Sequence, residues 1–234
     1  MKTLGNQLAQ MQKPIQQVEL DMQIQAQQFE LRTYKSQFEM SYEQFKELLI
    51  GYASKILLKR SVTTPYVIDN HNGPVIKQLY YYFTNNPLCN WNLNAGLLFG
   101  GKVGCGKSVL MMAYLELSNN YSRKITTTVH SKRLADYLKS RGLESCVRRP
   151  LFIDELGREE TETKDFGNVI KPVIDLFALR YESGARTYAT TNYKIDALEK
   201  FYGDFIRSRM EEMMTYVFIP GESRRLTNQV KQAR

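Results

Sequence analysis

Apolar residues at the start of the chain recur at alternating spacings of four and three: Leu4, Leu8, Met11, Ile15, Val18 and Met22. Phe29, Phe38, Tyr42, Phe45 and Leu49 continue the stripe less regularly. That period predicts amphipathic helix. Pro14 lacks the amide an inner helical turn needs, so a helix starts or kinks there. Residues 46–90 predict further helix, a loop at 61–65 and a second helix over about 74–83. From Asn90 the pattern changes to short apolar runs between helical stretches. The runs at 96–100, 125–129, 151–154, 187–190 and 215–219 predict a parallel five-stranded α/β sheet flanked by helices. The expected division is an N-terminal α-helical region, 1–90, and an α/β domain, 91–234.

Composition separates the same two regions. The first 45 residues hold eleven glutamines and a net charge of −1, so the remainder carries +9 of the formal +8 total. A glutamine-rich amphipathic helix has little core of its own to join. It is either an arm packed on its own domain or an element that docks a partner. The basic remainder, with a pI near 9.3, favours a polyanionic partner. Three cysteines, Cys89, Cys105 and Cys146, without metal-ligand spacing, and only His71 and His130, argue against a zinc site and for a reducing compartment. The first thirty residues lack the apolar core of a secretory signal, and no run of 18 apolar residues occurs. A cytoplasmic protein with no membrane contact is expected.

Candidate chemistry begins with Gly101-Lys-Val-Gly104-Cys105-Gly106-Lys107-Ser108, which fits G-x-x-x-x-G-K-[ST]. It follows the apolar Leu97-Leu98-Phe99 and precedes a helical run from Val109 to Leu117. Strand, loop and helix in that order suit a phosphate loop, whose glycines turn backbone amides inward while the helix dipole favours anions. Lys107 would meet the β- and γ-phosphates, and Ser108 would hold Mg2+. Cys105 inside the loop predicts that a thiol-alkylating reagent blocks nucleotide binding. Forty-seven residues after Lys107, the strand Leu151-Phe-Ile ends in Asp154-Glu155. Two carboxylates there suit nucleoside triphosphate hydrolysis: Asp154 holds Mg2+ through water, and Glu155 orients and deprotonates the attacking water.

A third strand, from Thr187, ends in Asn192, placed to contact a γ-phosphate or the same water, or simply to cap a turn. Arg207 and Arg209 lie in G-D-F-I-R-S-R-M, as transition-state fingers or ordinary surface arginines. Residues 131–149 hold Lys132, Arg133, Lys139, Arg141, Arg148 and Arg149 against Asp136 and Glu144, a net +4. Unpatterned positive charge of that kind suits a groove tracking a nucleic-acid backbone, or a solvated helix face.

Together these elements resemble the AAA+ ATPases, and among them the DnaC/DnaI helicase loaders and IstB transposition helpers, over about residues 90–225. The most diagnostic stretch is Phe152-Ile-Asp-Glu-Leu-Gly157, with a following helix that ends in Arg180 and a strand closing in Ala189-Thr-Thr-Asn192. The resemblance implies an ASCE-type P-loop domain without a C-terminal lid, ATP and Mg2+ as ligands, and ATP-dependent self-assembly. It makes Gly101, Gly104, Cys105, Gly106, Lys107, Ser108 and Val109 the Walker A contacts, and Asp154 and Glu155 the Walker B pair. Asn192 becomes sensor 1, Arg209 the preferred finger with Arg207 second, and Arg225 sensor 2, while Arg224 stands where the group usually has an aromatic residue. The implied function is loading a DnaB-type replicative helicase, docked through the N-terminal region, onto single-stranded DNA contacted by Lys132, Arg133, Lys139 and Arg141. The alternative is an IstB-like helper that assembles on DNA and recruits a transposase.

Overall fold

Ser41 starts the first described helix by a reciprocal cap. Its Oγ accepts from Gln44 N at 3.2 Å, while Gln44 Oε1 accepts from Ser41 N at 3.0 Å. The helix, α1 (Tyr42–Lys59), buries Phe45, Leu49, Ala53 and Ile56, spaced four, four and three apart. In the computed structural model the described residues are 39–122, 125–159, 163–165, 168–170 and 172–224. The stripe expected over 4–38 and the sensor candidate Arg225 lie outside them.

A loop leads from α1 to α2 (Gly73–Phe83), where Pro74 occupies the first turn, which needs no amide from it. The sheet follows: β1 (Gly96–Gly100), α3 (Lys107–Ser122), β2 (Thr127–His130), α4 (Leu134–Arg141), α5 (Leu143–Val147) and β3 (Leu151–Leu156). A short antiparallel hairpin, β4 (Thr163–Asp165) and β5 (Asn168–Ile170), comes next. Then come α6 (Pro172–Glu182), β6 (Thr187–Thr191), α7 (Ile195–Tyr202), α8 (Asp204–Met213) and β7 (Met214–Phe218). The five long strands pair in parallel in the order β2-β3-β6-β1-β7. Such order needs a crossover between every pair of neighbours, and the helices supply it.

Compactness divides the chain into Met1–Glu39 and Met40–Arg234. The helices α1 and α2 therefore pack within the unit that holds the sheet. Tyr52 lies against Asn120 and Arg60 against Met112, so α1 runs antiparallel to α3. Beneath them Phe83, Tyr82, Tyr114 and Tyr188 form a chain of tilted and edge-on ring contacts from α2 to β6.

The other side of the sheet holds a fully buried cation. Arg180, at 0% exposure, donates to Thr187 Oγ1 at 3.0 Å, Arg149 O at 2.9 Å, Arg186 O at 2.8 Å, and also to Cys146 O. Burial lowers its pKa to about 10, still far above neutrality. One side chain thus fastens the end of α6 to the segments entering β3 and β6, which fixes the two strands whose far ends carry the site.

Candidate active site

The C-terminal edge of a parallel sheet is where α/β proteins bind ligands, and the singled-out residues gather there. Between β1 and α3 the loop turns through Gly101, Gly104 and Gly106, at φ of 149°, 85° and 104°. A β-carbon on Gly104 would also fall 2.3 Å from Ser223 Oγ, so only glycine fits. Lys107 opens α3 with its side chain folded back into the loop, where Nζ donates to Gly101 O at 2.8 Å and Lys102 O at 2.7 Å. Burial lowers its pKa, against the opposing pull of Cys105, Glu155 and Asp154. Cys105 is itself buried, its Sγ 3.9 Å from the ammonium, and all three cysteines are free thiols.

Three elements meet at Asp154. Its Oδ1 accepts from Ser108 Oγ at 2.6 Å and from Thr190 Oγ1 at 2.5 Å, bringing α3 and β6 to the end of β3. This hydroxyl and carboxylate pair is the hard oxygen set that Mg2+ takes alongside phosphate and water. Among the described residues no cluster of three or more His, Cys, Asp or Glu side chains forms an all-protein metal cage.

Glu155 adopts φ of 61°, uncommon for a residue with a β-carbon. The backbone is held there from both sides: Glu155 N donates to Thr190 Oγ1 at 2.9 Å, and Glu155 O accepts from Ser131 Oγ at 2.8 Å. Its carboxylate meets Arg158 Nη1 at 2.7 Å and His130 Nε2 at 3.4 Å. Burial alone would raise this carboxyl's pKa. The hydrogen bond and charge of Arg158, and then His130, outweigh burial and hold it below the usual glutamate range. Asn192 follows β6 directly and is half-buried, and no hydrogen bond among the described residues involves its side chain. The turn is tied instead by Thr191, which donates to Leu156 O and accepts from Tyr193 N.

The two arginines of α8 differ. Arg207 lies among Glu199, Asp204 and Glu211, at 3.3, 3.1 and 2.6 Å. Arg209 stacks over the rings of Phe205 and Tyr181, at 3.9 and 4.9 Å from their centroids, and meets no carboxylate among the described residues. Lys132, Arg133, Lys139, Arg141, Arg148 and Arg149 are all exposed, again without an ion pair among the described residues.

Sequence reasoning missed Thr190, His130 and Arg158 as partners of the two carboxylates, and Ser131 as the partner of the Glu155 main-chain carbonyl. Thr190 stood inside the motif already singled out. His130 and Ser131 carry no local signal, because the parallel register that sets His130 beside Asp154 brings them in, while Arg158 stands only three residues after Glu155.

No protein-family model matches the sequence, and no curated protein does. Solved structures do. The crystal structure of the DnaC helicase loader superposes with a TM-score of 0.53 at 23% identity, covering 66% of this chain and 93% of that one. A primosome component from Streptococcus pyogenes serotype M3 gives 0.53 at 18%, covering 68% and 85%. This chain shares the fold of those structures, with its five-stranded parallel sheet flanked by helices. A further neighbour, replication initiator DnaA bound to AMPPCP and single-stranded DNA, gives 0.51 at 13% identity, with 72% of this chain on 52% of that one. No described helix is long and apolar enough to cross a membrane.

Proposed function

We propose that this chain is an ATPase that assembles on single-stranded DNA and loads a replicative helicase of the DnaB type. The observation that carries the reading is the meeting of Ser108, Asp154 and Thr190 beside Lys107 and Glu155 at one end of the sheet. In this reading the loop amides and Lys107 hold the phosphates, with Lys107 exchanging the Gly101 and Lys102 carbonyls for phosphate oxygens. Ser108 and Asp154 would hold Mg2+, which neutralises phosphate charge when bound. Glu155 orients a water and accepts its proton at the carboxylate, and Asn192 steadies that water or the γ-phosphate. Arg209, without a carboxylate partner among the described residues, serves a neighbouring subunit's nucleotide as the finger, while Arg207 stays committed to Glu199, Asp204 and Glu211.

The partner roles extend this reading. Region 1–90 docks the helicase, region 91–234 turns over ATP, and the exposed basic side chains from Lys132 to Arg149 track the DNA backbone. Release of the helicase follows hydrolysis. The test uses the full-length chain as bait against a lysate of its source cell, with and without ATP. Recovery of a hexameric replicative helicase, followed by its ATP-dependent transfer onto single-stranded DNA in a purified reaction, supports the loader. Recovery of a transposase instead moves the chain to the transposition-helper reading.

A further inference from the structure

The last described residues run across the phosphate loop. Ile219 N donates to Gly100 O at 2.7 Å and Arg224 N to Gly104 O at 3.0 Å, so both ends of this stretch are tied to the loop by backbone bonds. Between them Glu222 pairs with Lys102, and Ser223 packs into the space left by the missing side chain of Gly104. Arg224 then carries its side chain over Gly106, where a β-carbon would lie 3.7 Å from Arg224 Cδ and 3.8 Å from Nε.

Beyond the loop the guanidinium ends on the opposite wall. Nη2 donates to Asp69 Oδ2 at 2.7 Å and Nη1 to Val67 O at 3.2 Å, with the Tyr66 ring centroid 5.8 Å from its carbon. Asp69 is presented by a fixed turn. Its other oxygen, Oδ1, accepts from His71 N at 2.9 Å and Asn72 N at 3.1 Å. Asn72, 1% exposed, closes that turn by donating to Tyr66 Oη and Val67 O and accepting from Asp69 N. The pair itself is half open to solvent, at 29% for Arg224 and 38% for Asp69, so it is weak enough to be exchanged.

An arginine whose stem crosses a phosphate loop, yet whose fork is bonded to a carboxylate beyond it, is held on a substitute anion. The planar guanidinium fits phosphate as well as carboxylate, and a triphosphate offers more charge than one aspartate. We propose that Arg224 and Asp69 form a latch across the phosphate loop, which an incoming nucleoside triphosphate opens by drawing the Arg224 guanidinium from Asp69 to its own phosphates. Stretch 219–224 is thereby tied to the occupied state of the loop. The inference rests on the reading of that loop as an ATP site. Because the latch must open first, it lowers apparent affinity by the fraction of molecules in which it is closed. Because the exchange is driven by charge, it favours ATP over ADP.

The experiment titrates the full-length protein with fluorescent ATP and ADP analogues in the presence of Mg2+. Asp69→Asn keeps an oxygen for the His71 and Asn72 amides but cannot accept from Arg224 at the other position. It binds ATP about fivefold tighter than the parent, the size expected for losing an exposed ion pair in the closed state. Arg224→Gln binds ATP about tenfold more weakly, with a smaller change for ADP, and makes a further Asp69→Asn change silent. Arg224→Lys, which keeps the charge but loses the fork, lies between. A folded Asp69→Asn protein with unchanged or weaker ATP affinity overturns the latch and leaves the ATP site standing. So does an unchanged ATP-to-ADP preference in Arg224→Gln, which does not depend on how Asp69→Asn folds. A parent that binds neither nucleotide overturns the ATP site and the latch together.

Discussion

Two regions of this molecule handle charge in opposite ways. At the C-terminal ends of β1, β3 and β6, Lys107, Asp154 and Glu155 each have a protein partner within hydrogen-bonding reach. From Lys132 to Arg149, six cations stand exposed with no carboxylate partner among the described residues. In the proposed function the partnered groups exchange their own contacts for those of a nucleotide, and the unpartnered cations meet the phosphates of nucleic acid. Arg209 also meets no carboxylate among the described residues, although it stands only two residues from Arg207, which pairs with three.

The arginine pair offers the sharpest break. Arg209→Ala lowers kcat of the assembled protein by about 10³-fold or more, the range of a transition-state arginine. Arg207→Ala leaves kcat near the parent value and lowers the thermal midpoint instead, since its three carboxylates are left facing one another. ATPase assays and thermal melts on both variants decide it. Loss of turnover in Arg207→Ala alone would reverse the assignment and show that pairing is no guide here.

Within the partnered region, Glu155→Gln removes the proton acceptor and keeps the shape. Turnover falls by about 10² to 10⁴, the usual worth of a general base, while ATP-dependent assembly measured by light scattering persists. Equal turnover in variant and parent would remove Glu155 from the mechanism.

The basic segment is tested by salt. Replacing Lys132, Arg133, Lys139 and Arg141 by alanine weakens single-stranded DNA binding uniformly across sequences. It also flattens the plot of log K against log salt by about 3, from roughly 0.7 per lost phosphate contact. Fluorescence anisotropy at several salt concentrations measures both. An unchanged slope makes these residues a solvated face only.

Much of this was legible because it is local. The phosphate loop is a glycine spacing between an apolar run and a helix, and β1 falls on 96–100 as expected. The second strand shifts from the expected 125–129 to Thr127–His130: Ile125, apolar but 80% exposed, stays out of the core, while Thr127 N bonds to Pro150 O. The third strand runs on to Leu156 past a register irregularity after Ile153. The β4–β5 hairpin lies outside the five expected strands. Arg180 was visible as an arginine at a helix end. Its burial was not, because its four acceptors come from residues 146, 149, 186 and 187, far from it in sequence or across a turn.

The smallest expected effect tests whether the pairing of Glu155 is electrostatic in consequence. Its carboxyl lies below the usual glutamate range, so the ionised base persists as pH falls past about 4.3, and the acid limb of kcat/KM lies below that value. The stability this pairing adds has the same sign. It is fully present above the unfolded glutamate pKa and is lost as pH falls through the depressed folded value. Arg158 is the larger of the two partners that oppose burial. Arg158→Ala should therefore move the acid limb upward, toward the value that burial alone would impose, and leave kcat on the neutral plateau within the range of a surface substitution. A pH–rate profile of kcat/KM for parent and variant measures the shift. An acid limb that stays in place would mean that Arg158 positions the carboxylate without tuning it, and that the contrast between paired and unpaired charge is one of geometry alone.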